Sequence, residues 1–129
     1  MTEVIRELVI RKTIEAYLSD VTTHIYYENA PVGIDEPYIV YVLGDSIDDG
    51  SLEDMELEVN GWHNPINGDS TPLATLIGQI DNRLHRSTHQ SDGVFFSIYR
   101  DRRVPVSDPD KRLRRRQILY QIRVMGVGM

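Results

Sequence analysis

Tyr38-Ile39-Val40-Tyr41-Val42-Leu43 is the strongest strand signal in this chain. All but the last are aromatic or β-branched, and such residues fit the pleated surface of a sheet, so the stretch predicts a β-strand. Because the stretch is apolar on both faces, we expect both faces to be covered. Helices can cover one face, and a neighbouring subunit can cover the other.

The segments on either side of this strand add further β-structure. Gly44–Ser51 holds two Gly and three Asp, which is typical of a loop or hairpin tip. The next run alternates, so one face should be buried and the other should meet water. The first set is Met55, Leu57, Val59 and Gly61, and the opposite set is Glu56, Glu58, Asn60 and Trp62. Upstream, His24–Glu28 predicts a short strand, and the breakers in Ala30–Gly33 and Asp35–Pro37 predict a loop.

Two helices are predicted from apolar residues that recur with a helical period. The first spans Thr2–Val21 and carries the stripe Ile10, Ile14, Tyr17, Leu18 and Val21. Val4, Ile5, Leu8 and Val9 widen this stripe and leave apolar surface for a second contact. The second helix begins at Ser70 or Thr71, with Pro72 in the first turn, where a missing N–H costs nothing. Its stripe is Leu73, Leu76, Ile77, Ile80 and Leu84.

The last third of the chain predicts a long β-hairpin after a polar loop at Ser87–Gly93. Val94–Val104 forms one arm, Pro105–Asp110 turns, and Leu113–Val127 forms the other arm. The element order is therefore α-β-β-β-α-β-β. Hairpin-joined strands with few helices indicate an α+β fold, with a mostly antiparallel sheet and two helices packed on one face. The length of 129 residues predicts a single domain over residues 1–129.

Composition excludes several classes of protein. No apolar run approaches the roughly 20 residues that span a bilayer, and the charged N-terminal segment is not a signal peptide. The absence of cysteine excludes a disulfide framework, a thiolate zinc site and a cysteine nucleophile, and it permits a reducing compartment. A pI near 5.1 argues against a general nucleic-acid binder, although a local basic patch can still bind one.

Charge is divided unevenly along the chain. Residues 1–64 carry 3 Lys+Arg and 14 Asp+Glu, a balance of −11. Residues 65–129 carry 11 and 6, a balance of +5, and eight of these basic residues lie between Arg100 and Arg116. Such a division makes two copies complementary, so it favours head-to-tail assembly, whereas the basic half alone suits a phosphate backbone.

The positive charge is most concentrated in the predicted C-terminal hairpin, which we call the basic hairpin. In a strand, Arg115 must lie on one face and its neighbours Arg114 and Arg116 on the other. At least one guanidinium then turns toward a covered face unless this part of the hairpin projects from the sheet, and a projecting arm is the simpler interpretation. Such an arm can be solvated, can contact another subunit or can contact nucleic acid. Aromatic residues do not interleave with these arginines, so base stacking has little support.

No residue pattern in the chain supports catalysis or a cofactor. His85 and His89 have helical metal-ligand spacing, but they straddle a predicted helix end and Arg86 stands where an HExxH motif needs Glu. We therefore expect solvated loop histidines, with His24 and His63 hydrogen-bonded at strand ends. The acidic loop lacks the spacing of a calcium-binding EF-hand and its closing Glu, so an Arg-rich protein surface is its expected partner. Trp62 is expected to anchor a core or an interface.

The layout resembles a known family of phage proteins. A first amphipathic helix is followed by His24-Ile25-Tyr26-Tyr27-Glu28-Asn29-Ala30-Pro31 and then by Glu36-Pro37-Tyr38-Ile39-Val40-Tyr41. An alternating strand ending near Trp62, a second helix and a final hairpin complete the similarity, which covers nearly the whole chain. In these features the chain is similar to the tail terminator (tail-completion, tail-to-head joining) proteins of long-tailed bacteriophages.

The resemblance implies a non-enzymatic virion protein without a cofactor. It implies a ring, with a hexamer expected, that caps the tail tube and joins it to the head connector or stopper protein. The partners would then be further copies of the chain, the tail tube protein and the connector, in a virion assembled in the host cytoplasm and without a membrane. The alternative is a small nucleic-acid-binding module that uses the basic hairpin. From the charges we expect the subunit interface to include Asp45, Asp48, Asp49, Asp54, Arg102, Arg103, Arg112, Arg114, Arg115 and Arg116.

Overall fold

The described part of the chain forms two helices and six strands. The structure, a computed structural model, describes residues 6–22, 24–31, 33, 37–48, 52–64, 68–69, 71–106 and 114–125. In chain order the elements are α1 (Arg6–Leu18), β1 (Ile25–Tyr27), β2 (Tyr38–Asp48), β3 (Leu52–His63), α2 (Thr71–Leu84), β4 (Ser87–Ser91), β5 (Val94–Val106) and β6 (Arg114–Met125).

All six strands belong to one sheet with the spatial order β1-β2-β3-β6-β5-β4. β1 pairs with β2 in parallel, and every other neighbouring pair is antiparallel. The predicted α+β class and the mostly antiparallel sheet are therefore confirmed. β6, the last strand in sequence, lies in the middle of the sheet between β3 and β5.

Both helices pack on the same face of this sheet, as expected. The α2 stripe is buried in full, and Ile10, Ile14 and Leu18 of α1 are at most 1% exposed. They meet the inward residues of the four long strands in one core. The inward strand residues are Ile39, Tyr41, Leu43, Met55, Leu57, Val59, Val94, Phe96, Ile98, Ile118, Tyr120, Ile122 and Val124.

Polar contacts tie both ends of α1 to the rest of the fold. At its C-terminal end, Tyr17 Oη donates a 2.8 Å hydrogen bond to the carbonyl of Arg83, and Arg83 forms an ion pair with Asp20. At its N-terminal end, Tyr27 Oη donates to Glu7 Oε1 at 2.8 Å, and the Arg11 guanidinium lies 3.8 Å from the centre of the Tyr27 ring. These contacts fix the position of a helix whose apolar stripe is narrow.

Two of the four residues expected to form a second contact surface on α1 are described by the structure. Leu8 is 38% exposed and Val9 packs against the core. Val4 and Ile5 lie outside the described residues, as do Thr2 and Glu3 of the predicted first turn.

Two predicted loops are wrong because they contain strand residues. Ser87–Ser91 forms β4, which pairs with β5, so the element order has one strand more than expected. Asp92 and Gly93, both with positive φ (49° and 79°), make the two-residue connection that joins these strands. Gly44–Asp48 likewise belongs to β2, with a register shift between Leu43 and Ser46.

Arg86 adopts the left-handed backbone conformation between α2 and β4, with φ of 66°. Its side chain is exposed, and its backbone N–H lies 2.8 Å from the carbonyl of Ile98. We expect Arg86→Gly to raise the free energy of unfolding by about 0.5–1 kcal/mol, because relief of the left-handed strain exceeds the added entropy of the unfolded chain. Urea denaturation measures this. Gln90→Gly, at an exposed position in β4, is the control and should destabilise; a loss of stability in Arg86→Gly would contradict the argument.

Candidate interaction surface

The face of the sheet that the helices leave uncovered is the candidate functional surface. We call it the open face. Strand alternation and the pairing register assign its residues, because directly opposite residues share a face. It comprises Val40, Val42, Asp54, Glu56, Glu58, Asn60, Trp62, Phe95, Ser97, Tyr99, Arg102, Val104, Arg115, Gln117, Leu119, Gln121 and Arg123.

A network of polar side chains crosses the open face from β3 to β6. Gln117 Nε2 donates to Glu58 Oε1 at 2.6 Å and to Asn60 Oδ1 at 3.1 Å. Asn60 Nδ2 donates to Glu58 Oε1 at 3.1 Å, and Arg115 Nη2 donates to Asn60 Oδ1 at 3.2 Å. The Arg115 guanidinium also lies 4.5 Å from the centre of the Trp62 ring. The network therefore holds these side chains in fixed positions on the surface.

The opposite end of the open face combines an ion pair with exposed aromatic rings. Arg123 Nε lies 3.2 Å from Asp54 Oδ1, and both side chains are about half exposed. Tyr99 is 50% exposed and Phe95 is 37% exposed. A depression of about 530 Å³ is lined by Asp54, Ser97, Tyr99, Gln121 and Arg123. Exposed rings beside fixed charges are typical of a surface that contacts another protein.

On the helix side of the sheet, one buried carboxylate fixes the basic strand β5. Asp81 of α2 is 3% exposed, and it accepts hydrogen bonds from Tyr120 Oη at 2.8 Å and from Arg103 Nη2 at 2.8 Å. Arg100 forms an ion pair with the same carboxylate. Burial alone would raise the pKa of Asp81, but these three partners outweigh it and hold the pKa below its ordinary value. Burial, together with the Asp81 carboxylate, raises the pKa of Tyr120.

This depressed pKa predicts an acid-dependent loss of stability. Because the folded pKa of Asp81 lies below its ordinary value of 3.8, its contribution is full above that value and is lost as pH falls through the folded pKa. We expect wild type to be more stable than Asp81→Asn at pH 7, and the difference to shrink below about pH 4. Urea denaturation midpoints of both proteins from pH 7 to pH 2 measure this. A difference that stays constant with pH would contradict the assignment.

The structure places only some of the predicted interface residues on the open face. Asp54, Arg102 and Arg115 lie there. Arg103 turns to the helix side and binds Asp81, and Arg116 pairs with Gly61 on that same side. Asp45, Asp48 and Arg114 lie within strands, but their side chains are outside the described residues, and Asp49 and Arg112 are outside them altogether. The register places Arg115 and its neighbour Arg116 on opposite faces of the sheet, as predicted.

The projecting basic arm is wrong. Arg114, Arg115 and Arg116 of β6 pair with His63, Trp62 and Gly61 of β3 on one side. On the other side, Arg115 and Arg116 pair with Val106 and Pro105 of β5. This part of β6 is therefore an inner strand of the sheet, in which Arg115 Nη2 donates to Asn60 Oδ1 and Arg116 Nη1 donates to the carbonyl of Arg115.

Sequence reasoning missed Asp81, Gln117 and Arg123. Asp81 carried a detectable signal, because it lies four residues after Ile77 and three before Leu84, on the buried stripe of α2. A carboxylate at such a position requires a buried cationic or hydroxyl partner. Gln117 and Arg123 gave no comparable signal, since their partners in β3 are distant in sequence.

In the structure, His85 and His89 have different hydrogen-bond partners. His85 Nδ1 accepts a 2.9 Å hydrogen bond from the backbone N–H of Arg100, whereas His89 lies in β4 with Nε2 2.9 Å from Ser87 Oγ. The His89 ring packs between Tyr17 and Phe96, and burial lowers its pKa, so the expected solvated loop histidine is wrong at this position. Among the residues that the structure describes, no group of three or more His, Asp or Glu side chains could hold a metal ion.

Neither α1 nor α2, the two helices in the described part of the chain, has the length and apolar composition needed to cross a membrane.

Comparison with known proteins identifies the fold. No family model matches the chain, and no curated protein matches it. A chain from the virion of a native gene transfer agent (GTA) particle superimposes with a TM-score of 0.69 at 14% identity, over 93% of this chain and 94% of that one. A second solved chain superimposes with a TM-score of 0.68 at 17% identity, over 95% and 97%. Identities this low establish a shared fold.

Proposed function

We propose that this chain is a structural protein of a phage or phage-like virion, and that it acts as a tail terminator. In this role, copies of the chain form a ring, expected to be a hexamer, that caps the tail tube and joins it to the head connector. The observation that carries the proposal is the fold shared, over nearly the whole of both chains, with a chain of a gene transfer agent virion. The sequence resemblance to tail terminators supports the same role.

The described surfaces suit a protein that assembles rather than one that binds nucleic acid. The open face presents fixed charges of both signs beside exposed aromatic rings, which is suited to protein contact. Three of the arginines in the basic region, Arg100, Arg103 and Arg115, already contact groups of their own chain. Fewer charges are therefore available to a phosphate backbone than the sequence alone predicts.

Electron microscopy of the purified protein, alone and mixed with tail tubes, tests the proposal. We expect rings, and we expect fewer of them at 1 M salt, where the Debye length falls from ~10 Å to ~3 Å. A protein that stays monomeric under every condition and does not bind tail tubes would refute it.

A matched pair of variants tests the predicted interface. Arg102 and Arg86 are both exposed, but Arg102 lies on the open face and Arg86 lies between α2 and β4. Arg102→Glu should reduce ring formation at low salt, and Arg86→Glu should not. Equal behaviour of the two variants would remove Arg102 from the interface while leaving the ring itself to be judged by microscopy.

A further inference from the structure

The outer edge of β4 carries backbone groups without a hydrogen-bond partner. β4 is the last strand on its side of the sheet and pairs only with β5. The two-residue turn that joins these strands makes Ser91 and Val94 a hydrogen-bonded pair. Such pairs alternate along an antiparallel ladder, so the N–H and C=O groups of Thr88 and Gln90 point away from β5. No hydrogen bond joins these groups to another residue in the described part of the chain.

This edge lacks the devices that normally prevent strands from adding to a sheet. Charged side chains and prolines usually protect an exposed edge. β4 has the sequence Ser-Thr-His-Gln-Ser, with no Lys, Arg, Asp, Glu or Pro. The side chains of Thr88 and Gln90 are exposed. His89 packs between Tyr17 and Phe96, where burial lowers its pKa. The edge is therefore uncharged near neutral pH and open to a further strand.

A second copy of β4 fits this edge in one antiparallel register. In that register Thr88 of each copy pairs with Gln90 of the other, and the two His89 residues lie opposite each other on a two-fold axis. Each copy contributes two outward N–H and two outward C=O groups, so four hydrogen bonds form between the copies. A shift by two residues would place Gln90 opposite Arg86, or Thr88 opposite Asp92. Arg86 and Asp92 have the left-handed backbone conformation, with φ of 66° and 49°, which does not continue a ladder.

Opposite charges meet at both ends of this ladder. Counting outward from the axis at His89, Arg86 of one copy comes level with Asp92 of the other, once at each end. Both side chains are exposed, and no ion pair in the described part of the chain involves either. Thr88 and Gln90, which pair between them, are uncharged, so no like charges are opposed within the ladder. Charge and hydrogen bonding therefore favour the same register.

We infer that the free protein associates with a second copy of itself through this edge, so that β4 pairs with β4 and two six-stranded sheets become one continuous sheet. The contact is closed by two copies and does not propagate a ring. The inference therefore goes beyond the proposed function and does not rest on it: it assigns the state of the protein before assembly.

Two single-cysteine proteins test the register, since the chain has no cysteine of its own. In the dimer, Thr88→Cys of one copy faces Gln90→Cys of the other with a Cα separation of about 5.5 Å, within the range of roughly 4.4–6.8 Å that a disulfide needs. Two copies of the same variant are offset by two residues along the strands, about 7 Å, in addition to the roughly 5 Å between strands. Mild oxidation of the mixture should therefore give at least tenfold more covalent dimer than oxidation of either variant alone, as read on a non-reducing denaturing gel.

The control mixture uses Gln79→Cys in place of Gln90→Cys, which changes the same type of residue at an exposed position on α2. This mixture should give no more covalent dimer than Thr88→Cys alone, with the far-ultraviolet circular dichroism of all three variants matching wild type. Equal yields from the two mixtures, or no covalent dimer in either, would overturn the inference.

Sedimentation velocity gives a second readout that needs no cross-link. Proline has no N–H, so Gln90→Pro removes two of the four hydrogen bonds between the copies, while the ladder to β5 does not use this N–H. We expect a wild-type dimer whose dissociation constant rises at least tenfold in Gln90→Pro and stays near wild type in Gln90→Ala, which keeps the N–H. A monomeric wild type at every concentration, or equal dissociation constants for the two variants, would overturn the inference.

Tail tubes provide the competing occupant of this edge. A monomeric wild type whose binding to tail tubes is lost in Gln90→Pro would assign the edge to the tube protein and overturn the pairing of β4 with itself. Rings seen by microscopy together with any of these negative results would leave the proposed function intact.

Discussion

Asp81→Ala is expected to lower the free energy of unfolding by about 3 kcal/mol, since it leaves a buried hydroxyl and two guanidinium groups without their shared acceptor. The Tyr120 side chain is fully buried, and Arg100 is one-third exposed, so neither group regains water freely. Arg103 is 62% exposed and can turn to solvent, which places the expected loss at the lower end of the range for a broken buried ion pair. Urea denaturation at pH 7 measures the effect.

Two further substitutions separate the parts of this cluster. Tyr120→Phe removes only the hydroxyl and should cost about 1 kcal/mol, because the carboxylate keeps both arginines. Asp81→Asn keeps an acceptor for Tyr120 but loses the charge, and should fall between the other two variants. If Asp81→Ala were no less stable than Tyr120→Phe, the ion pairs would contribute nothing and the fixing of β5 to α2 would need another explanation.

Gly61→Val is expected to lower the free energy of unfolding by about 3 kcal/mol, because it overpacks the contact between β3 and α2. A Cβ at Gly61 would lie 2.7 Å from Leu73 Cδ1 and 2.9 Å from Ile77 Cδ1. Both atoms end flexible side chains, so Gly61→Ala should lower the free energy of unfolding by less. The additional methyl groups of valine account for the rest of the loss. Thermal or urea unfolding of the two variants measures the difference.

Gly44 provides the matched control, since it is also a strand glycine, but a Cβ there would make only ordinary contacts with Glu56, at 3.7 Å and 3.8 Å. Gly44→Ala should leave stability unchanged or raise it by up to about 1 kcal/mol, because alanine restricts the unfolded chain. The double variant Gly61→Val/Leu73→Ala should be more stable than additivity predicts, since the smaller side chain makes room. Strict additivity would show that the cost at Gly61 comes from the backbone and not from packing against Leu73.

The local pattern of the sequence was sufficient for the elements that are amphipathic by themselves. The stripe of α2 and the alternation of β3 each require one buried face, so their type and orientation follow from spacing alone. β4 was missed because Ser87–Ser91 is polar and carries no apolar alternation. The signal lay in the connection: Asp92-Gly93 is the residue pair that two-residue hairpin turns prefer.

The side-chain contacts of the open face and of Asp81 depend on strand pairing, which the local sequence does not specify. Asp54 meets Arg123, and Asn60 meets Arg115, only because β6 inserts beside β3. The acidic and basic halves of the sequence suggested contacts between copies. Some of these charged side chains instead contact each other within one copy and join β3 to β6. The direction of the Arg103 side chain was also not predictable from the sequence. A register shift in β5 between Arg100 and Arg102 decides which arginines turn toward Asp81.

The central place of β6 has a consequence for biosynthesis. A ribosome makes this strand after the other seven described elements, so a nascent chain that has reached β5 still exposes the inner edges of both β3 and β5. Unpaired edges of that length recruit other strands, and those of sister nascent chains are close by on a polysome. Truncated products of this protein should therefore precipitate or bind chaperones, and a stop codon before Arg114 should abolish soluble expression.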